Sequence, residues 1–212
     1  MAEATGTVPR WLHAYAQPAR APQKAPPPEG ALPVERWGIP QELRNHHAWA
    51  CWRYEYEHDR WSKPPYNPET GQRAEPSDSS TWESFDVCYD AYRAAQIPEP
   101  GDARPYDGVS FALDPRWGIV GIDLDHVSDH RAAANAIVGE LDSYSEYSPS
   151  RDGYRIFTKG TLPEGRRRRD WVEMYSQRRF LTVTGQRLPG APKSLTTPHR
   201  LYLVWDRYLN RG

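Results

Sequence analysis

The chain has little cysteine, little methionine and almost no net charge, and each shortage removes a class of protein. Its two cysteines, Cys51 and Cys88, sit far apart in apolar surroundings, with no Cys-x-x-Cys and no nearby Cys/His set. Neither a disulfide scaffold nor a structural zinc site is expected from that spacing; two packed thiols in a reduced, cytoplasmic protein are. No apolar run is long enough for a secretory signal or a membrane-spanning helix. A formal net charge of −1 removes the global basicity that marks many nucleic-acid binders, so any polyanion must be gripped locally.

Proline and large aromatics are plentiful instead. Pro9, Pro18, Pro22, Pro26, Pro27, Pro28 and Pro33 crowd the N-terminus, where large apolar residues are few. Such a segment cannot bury enough surface to offset its ordering entropy, so residues 1–33 are expected to be a disordered or polyproline-like arm. Residues 34–212 have the length of one ordinary domain.

Periodicity sketches an α+β domain with a mainly antiparallel sheet. Residues 47–57 alternate, with Trp52, Tyr54 and Tyr56 against Arg53, Glu55 and Glu57, as in a half-exposed strand. Ser80-Thr81-Trp82-Glu83 matches a capping box, and Trp82, Phe85, Tyr89 and Tyr92 then keep helical spacing until Pro98. Val109, Phe111 and Leu113 mark a strand, joined by a tight turn at Asp114-Pro115-Arg116 to the next, so a hairpin is expected. Residues 129–143 carry an Ala134, Ile137, Val138, Leu141 stripe and read as a helix. Short strands follow at 153–159, 171–175 and 179–184.

The most informative stretch is Trp117-Gly118-Ile119-Val120-Gly121-Ile122-Asp123-Leu124-Asp125-His126. Side chains alternate across a strand, so Val120, Ile122 and Leu124 share a core face while Asp123 and Asp125 share the other, expected to be open to solvent. Two carboxylates roughly 7 Å apart along one strand can share a divalent cation, which also relieves their repulsion. A pair of solvated acids at a strand end is the plainer alternative. Three further pieces carry chemistry. Ser148-Pro149-Ser150-Arg151-Asp152-Gly153-Tyr154-Arg155-Ile156-Phe157 gathers hydroxyls, backbone N–H groups and a guanidinium suited to phosphate oxygens, or is a simple turn. Trp171-Val172-Glu173-Met174-Tyr175 alternates so that Glu173 can supply a third carboxylate. Arg179-Phe180-Leu181-Thr182-Val183-Thr184-Gly185 is a strand ending in hydroxyls and glycine. From Arg151 to Arg179 basic residues outnumber acidic ones by five, with Arg166, Arg167, Arg168 and Arg169 consecutive.

In this order the pieces resemble the archaeo-eukaryotic primase superfamily, and in particular the primase-polymerase domains of phages, plasmids and integrated elements. Gly121-Ile122-Asp123-Leu124-Asp125 resembles the family's DxD strand. Ser148 to Phe157 is similar to its Ser-Pro-Ser-Gly-x-Gly-x-His-Ile-Phe loop. Glu173, Tyr175 and Arg179 to Gly185 are similar to its Glu-x-Tyr and Arg-Phe-x-Thr-x-Thr-Gly elements. Lys63-Pro64-Pro65-Tyr66, Gly71 and Thr81-Trp82 also fit, so the resemblance spans roughly residues 37–188. Arg151 replaces a family glycine and Arg155 the family histidine; arginine can hold a phosphate but cannot serve as a neutral imidazole.

The resemblance implies an RRM-like catalytic sheet packed with a second α/β module from the N-terminal half. It implies a nucleotidyltransferase that joins an NTP or dNTP to a 3′-hydroxyl on single-stranded DNA. Asp123, Asp125 and Glu173 would bind two Mg²⁺ or Mn²⁺ ions. Ser148, Ser150, Arg155, Arg179, Thr182 and Thr184 would hold the nucleotide. Lys63 and Arg166 to Arg169, with Trp61 and Tyr66 as stacking candidates, would hold the template. A replicative helicase, on another chain or in a further C-terminal region, would be a partner; a membrane would not. A metal-dependent nuclease or phosphotransferase, and a non-catalytic nucleic-acid-binding module, are the alternatives. His46-His47 brings a rolling-circle relaxase to mind, but neighbours on a strand point oppositely and cannot chelate together.

Overall fold

The structure, a computed structural model, describes residues 28, 30–94, 96 and 106–211. Most of the expected N-terminal arm, and the expected helix end at Pro98, lie outside those residues. Gly30 to Pro33 run along the body: the Leu32 N–H donates to the Pro149 carbonyl and the Gln186 amide to the Pro33 carbonyl, both at 3.0 Å.

In chain order the elements are α1 (Gln41–Arg44), β1 (Trp49–Trp52), β2 (Glu55–Glu57), β3 (Arg60–Ser62), β4 (Pro65–Tyr66), α2 (Phe85–Ala94), β5 (Gly108–Leu113), β6 (Ile119–Leu124), α3 (Val127–Leu141), β7 (Ser145–Tyr147), β8 (Tyr154–Lys159), β9 (Arg168–Arg169), β10 (Val172–Tyr175), β11 (Arg179–Val183) and α4 (Leu201–Trp205). They form a mixed α/β molecule with antiparallel sheets. The first sheet has the order β11-β5-β1-β4, the second β7-β8-β6-β10-β9, and β2-β3 stand as a separate hairpin.

Three local expectations are corrected. β5 and β6 do not form a hairpin. The 3-10 turn Pro115–Trp117, capped by the Asp114 carboxylate on the Arg116 N–H, carries the chain from the first sheet into the second. Residues 47–57 are not one half-exposed strand: β1 is buried throughout and central in its sheet, whereas β2 turns away into its own hairpin. The helix cap is Ser84, whose hydroxyl accepts from the Val87 N–H, and not Ser80. Glu83 is instead bridged to Trp49 through two backbone hydrogen bonds of 2.8 and 2.9 Å.

Each sheet has its own core. Trp49, Phe111 and Leu113 pack with Phe85 and Cys88 of α2. Cys51 and Cys88 are free and buried, and the Cys51 thiol donates to the Cys88 carbonyl at 3.3 Å. In the second sheet Val120, Ile122, Leu124, Ile156, Val172 and Met174 meet Ala134, Ile137 and Leu141 of α3 and Val204 of α4. α3 has no cap of its own: His126 precedes it in a left-handed conformation, and the Asp152 carboxylate accepts from the Ser128 N–H at 2.8 Å.

The sheets touch where β6 has no side chain. A Cβ on Gly121 would lie 2.3 Å from a Leu181 methyl and 3.0 Å from a Leu113 methyl. One step further along the same face is Asp123, where the space between the sheets opens into a cleft.

Candidate active site

Strand register builds the site. Residues directly opposite on antiparallel strands point to the same face with Cβ atoms about 4.5–5.5 Å apart. Across the second sheet, Glu146 of β7 opposes Arg155 of β8, Arg155 opposes Asp123 of β6, Asp123 opposes Glu173 of β10, and Glu173 opposes Arg168 of β9. One ionic row therefore crosses all five strands, with two carboxylates side by side at its centre. Asp125 follows just beyond the end of β6, its backbone N–H held by the Trp171 carbonyl at 2.9 Å.

All of the row but Arg168 is buried, contrary to the expectation of an open carboxylate face: Asp123 is 6% exposed and Glu173 3%. Arginines make that burial tolerable. The Arg155 guanidinium donates to Asp123. Glu173 receives Arg168 at 3.1 Å and Arg179 at 2.9 Å, the latter reaching over from β11 of the first sheet. Burial pushes the Asp123 carboxyl up to about 6; Arg155 opposes that shift and the neighbouring charges of Asp125 and Glu173 add to it.

The cleft has a volume of about 630 Å³. Its walls come from both halves of the chain: Asp123, Asp125 and Arg155 on one side, Arg178 to Thr182 at the start of β11, and residues 61–65 and 73–76 opposite. Lys63 thus stands inside the cleft. Burial and the nearby Arg155 push its ammonium down to about 8, against the pull of Asp123 and Asp125. Trp61 and Thr182 also line the cleft. The Thr182 hydroxyl is buried and has no hydrogen-bond partner.

The other residues singled out in the sequence lie elsewhere. Ser148 is buried, its hydroxyl 3.0 Å from that of Ser150, in the loop above the start of α3; neither lines the cleft. Arg151 in that loop has φ of 69°, the left-handed region that favours the glycine it replaces. Thr184 is buried and its hydroxyl donates to the Tyr147 carbonyl at 2.7 Å. Of the four consecutive arginines, Arg168 reaches Glu173. Arg169 is in register with Val172 and so shares the opposite face, and Arg166 is exposed, its carbonyl accepting from the Trp205 indole. Tyr66 is buried, with its hydroxyl on Glu55. His46 stacks on Trp117 at 4.5 Å while His47 turns toward Glu83, so they share no site.

Sequence reasoning missed Glu146. It is fully buried; its carboxylate accepts from the Tyr144 hydroxyl at 2.5 Å and from the N–H groups of Thr184 and Gly185 at 2.9 and 2.7 Å. It rivets β7 to the end of β11, and so joins the two sheets behind Arg155. Burial pushes its carboxyl up to about 7, with Tyr144 and the two amides opposing. The signal was a lone acid alternating with Ser145 and Tyr147, on the same face as Tyr144.

The donors suit a hard divalent cation in type, since Mg²⁺ and Mn²⁺ prefer carboxylate oxygens. Register suits it for Asp123 and Glu173. The side chains, however, are turned to arginines, and among the described residues no three His, Cys, Asp or Glu groups gather into a metal-ligating set.

No family model matches the chain. A curated protein named DNA primase-polymerase, from Nitratiruptor phage NrS-1, is 30% identical over 159 residues, which is 70% of this chain and 20% of that protein. The similarity supports a primase-polymerase relationship. The chain spans about a fifth of the length of the relative it matches. No helix among the described residues is long and apolar enough to cross a membrane.

Proposed function

We propose that the cleft is the nucleotidyl-transfer centre of a DNA primase-polymerase, and that the two-sheet arrangement is a primase-polymerase fold. The observation that carries this reading is that Asp123 and Asp125 line a cleft with Arg155, Arg179 and Lys63, while Glu173 lies directly opposite Asp123 in the sheet and is held by Arg179 of the cleft wall. Asp123, Glu173 and Asp125 would hold Mg²⁺ or Mn²⁺, which when bound supplies activation of a 3′-hydroxyl and stabilises the leaving pyrophosphate. Arg155, Arg179 and Lys63 bind the triphosphate of an NTP or dNTP, guanidinium to phosphate in bidentate geometry where possible. The 3′-oxygen of the primer attacks the α-phosphorus, the bond to the β-phosphate oxygen breaks, and the hydroxyl proton passes to solvent. Single-stranded template enters along the open side, with Trp61 as a stacking surface and Arg168 as a phosphate contact.

The test is incubation of the chain with primed and unprimed single-stranded DNA, each of the eight nucleotides, and Mg²⁺ or Mn²⁺. Elongated or newly made strands that depend on nucleotide support the reading. Shortened DNA without nucleotide identifies a nuclease instead. The pairing of Asp123 and Glu173 with arginines favours one second reading, a non-catalytic nucleic-acid-binding module in which the row is purely structural. That reading expects single-stranded DNA binding with neither product nor metal uptake.

A further inference from the structure

A metal site ready to accept a free ion would present its carboxylates unpaired, and this one does not. Asp123 carries Arg155; Glu173 carries Arg168 and Arg179; Lys63 lines the same cleft as Asp123 and Asp125. Three carboxylates are thus surrounded by four cationic side chains. A bare divalent cation entering there meets positive charge that already neutralises its ligands. To reach Asp123 it must displace Arg155, which is nine-tenths buried and whose Nε has no acceptor even now. A displaced, buried guanidinium without a counter-ion is strongly disfavoured. A triphosphate removes that obstacle, because its oxygens give the displaced guanidiniums acceptors and its charge offsets the incoming metal.

We propose that the cleft takes a divalent cation and a nucleoside triphosphate as one unit, with Arg155 as a built-in counter-ion that holds Asp123 until triphosphate oxygens take the guanidinium over. Arg179 acts in the same way on Glu173, from the other sheet. The chain then has low affinity for metal alone and does not hold a charged metal centre between turnovers. The proposal rests on the reading of the cleft as a nucleotidyl-transfer centre. It adds a direction of coupling, which by linkage is reciprocal: metal tightens triphosphate by the factor by which triphosphate tightens metal.

The experiment is calorimetric titration of Mn²⁺ into the whole chain and into Arg155→Gln, each alone and with saturating non-hydrolysable nucleoside triphosphate. Mn²⁺ also binds triphosphate in solution, but equally for both proteins, so the difference between them isolates Arg155. For the nucleotide-free proteins the expected result is the counter-intuitive one: Arg155→Gln binds Mn²⁺ about tenfold or more tightly than wild type, a factor typical of coupled sites. With triphosphate present, wild type gains more affinity than the variant. Circular dichroism checks the fold. Should Arg155→Gln fail to fold, Arg179→Gln, altered at a half-exposed side chain, is expected to tighten free Mn²⁺ in the same direction. Equal Mn²⁺ affinity of nucleotide-free wild type and variant overturns the counter-ion role and leaves the transfer centre standing. Absence of Mn²⁺ uptake by wild type and variant, with triphosphate as without it, overturns the transfer centre as well.

Discussion

The two faces of the second sheet are made by alternate residues of the same strands, yet they follow opposite rules. One face holds Val120, Ile122, Leu124, Ile156, Val172 and Met174, packed dry against α3 and α4. The other holds Glu146, Arg155, Asp123, Glu173 and Arg168 in a single ionic row. The apolar face stabilises the fold by removing hydrocarbon from water. The ionic face adds little, because desolvating charges offsets most of their attraction, and a hydrophobic replacement would often serve stability as well or better. Stability alone therefore does not account for the row, which is in keeping with the binding role proposed for it. The difference also shows how the apposed sheet turns packing into a site: the face is apolar at Gly121, where Leu181 and Leu113 close over it, and ionic one step on, where the cleft begins.

The sharpest way to break the comparison is to neutralise one face at a time. Asp123→Asn and Glu173→Gln are each expected to lower nucleotide incorporation by on the order of 10³ or more, through loss of a metal ligand, with an unchanged circular dichroism spectrum. Ile122→Ala, one residue away on the opposite face, is expected to keep its activity per folded molecule. It should lose about 2–5 kcal/mol of stability in urea titration, because the cavity it leaves cannot close fully.

Glu146 sharpens the contrast within the ionic row, since it binds backbone amides. Its folded carboxyl is pushed up to about 7, by burial first, from an ordinary value of 4.5. Its raised affinity for a proton therefore contributes stability that is fully present below about pH 4.5 and is lost as pH rises to about 7, on the order of 3 kcal/mol. Denaturant titrations across that window should show the decline in wild type, and Glu146→Gln should flatten it. The smallest effect expected is at the edge strand. Arg168→Ala should make the slope of log affinity against log salt for single-stranded DNA shallower by roughly 0.7. Arg169→Ala, on the other face, should leave that slope unchanged.

What was legible in the sequence follows from period two. Alternation alone put Val120, Ile122 and Leu124 in a core, Asp123 on the opposite face, and Glu173 apart from Val172 and Met174, as the register bears out. What was not legible depends on partners distant in the chain. A tight Asp-Pro turn reads the same whether its strands pair or part, so the passage from β5 to β6 between sheets was read as a hairpin. Charged residues default to the surface, so the burial of Asp123 needed Arg155, 32 residues on, to be seen. Glu146 was invisible because its amide partners at Thr184 and Gly185 lie 38 and 39 residues away. Four consecutive arginines looked like one patch, yet on β9 neighbours must face opposite ways.

The most direct measurement is an anomalous difference map from crystals of the chain grown with Mn²⁺ and a non-hydrolysable nucleoside triphosphate. The account expects an Mn²⁺ peak within coordination distance of the Asp123 and Glu173 carboxylates, with Arg155 swung from Asp123 onto the triphosphate. A triphosphate bound in the cleft with no Mn²⁺ at those carboxylates, and Arg155 still on Asp123, would contradict it.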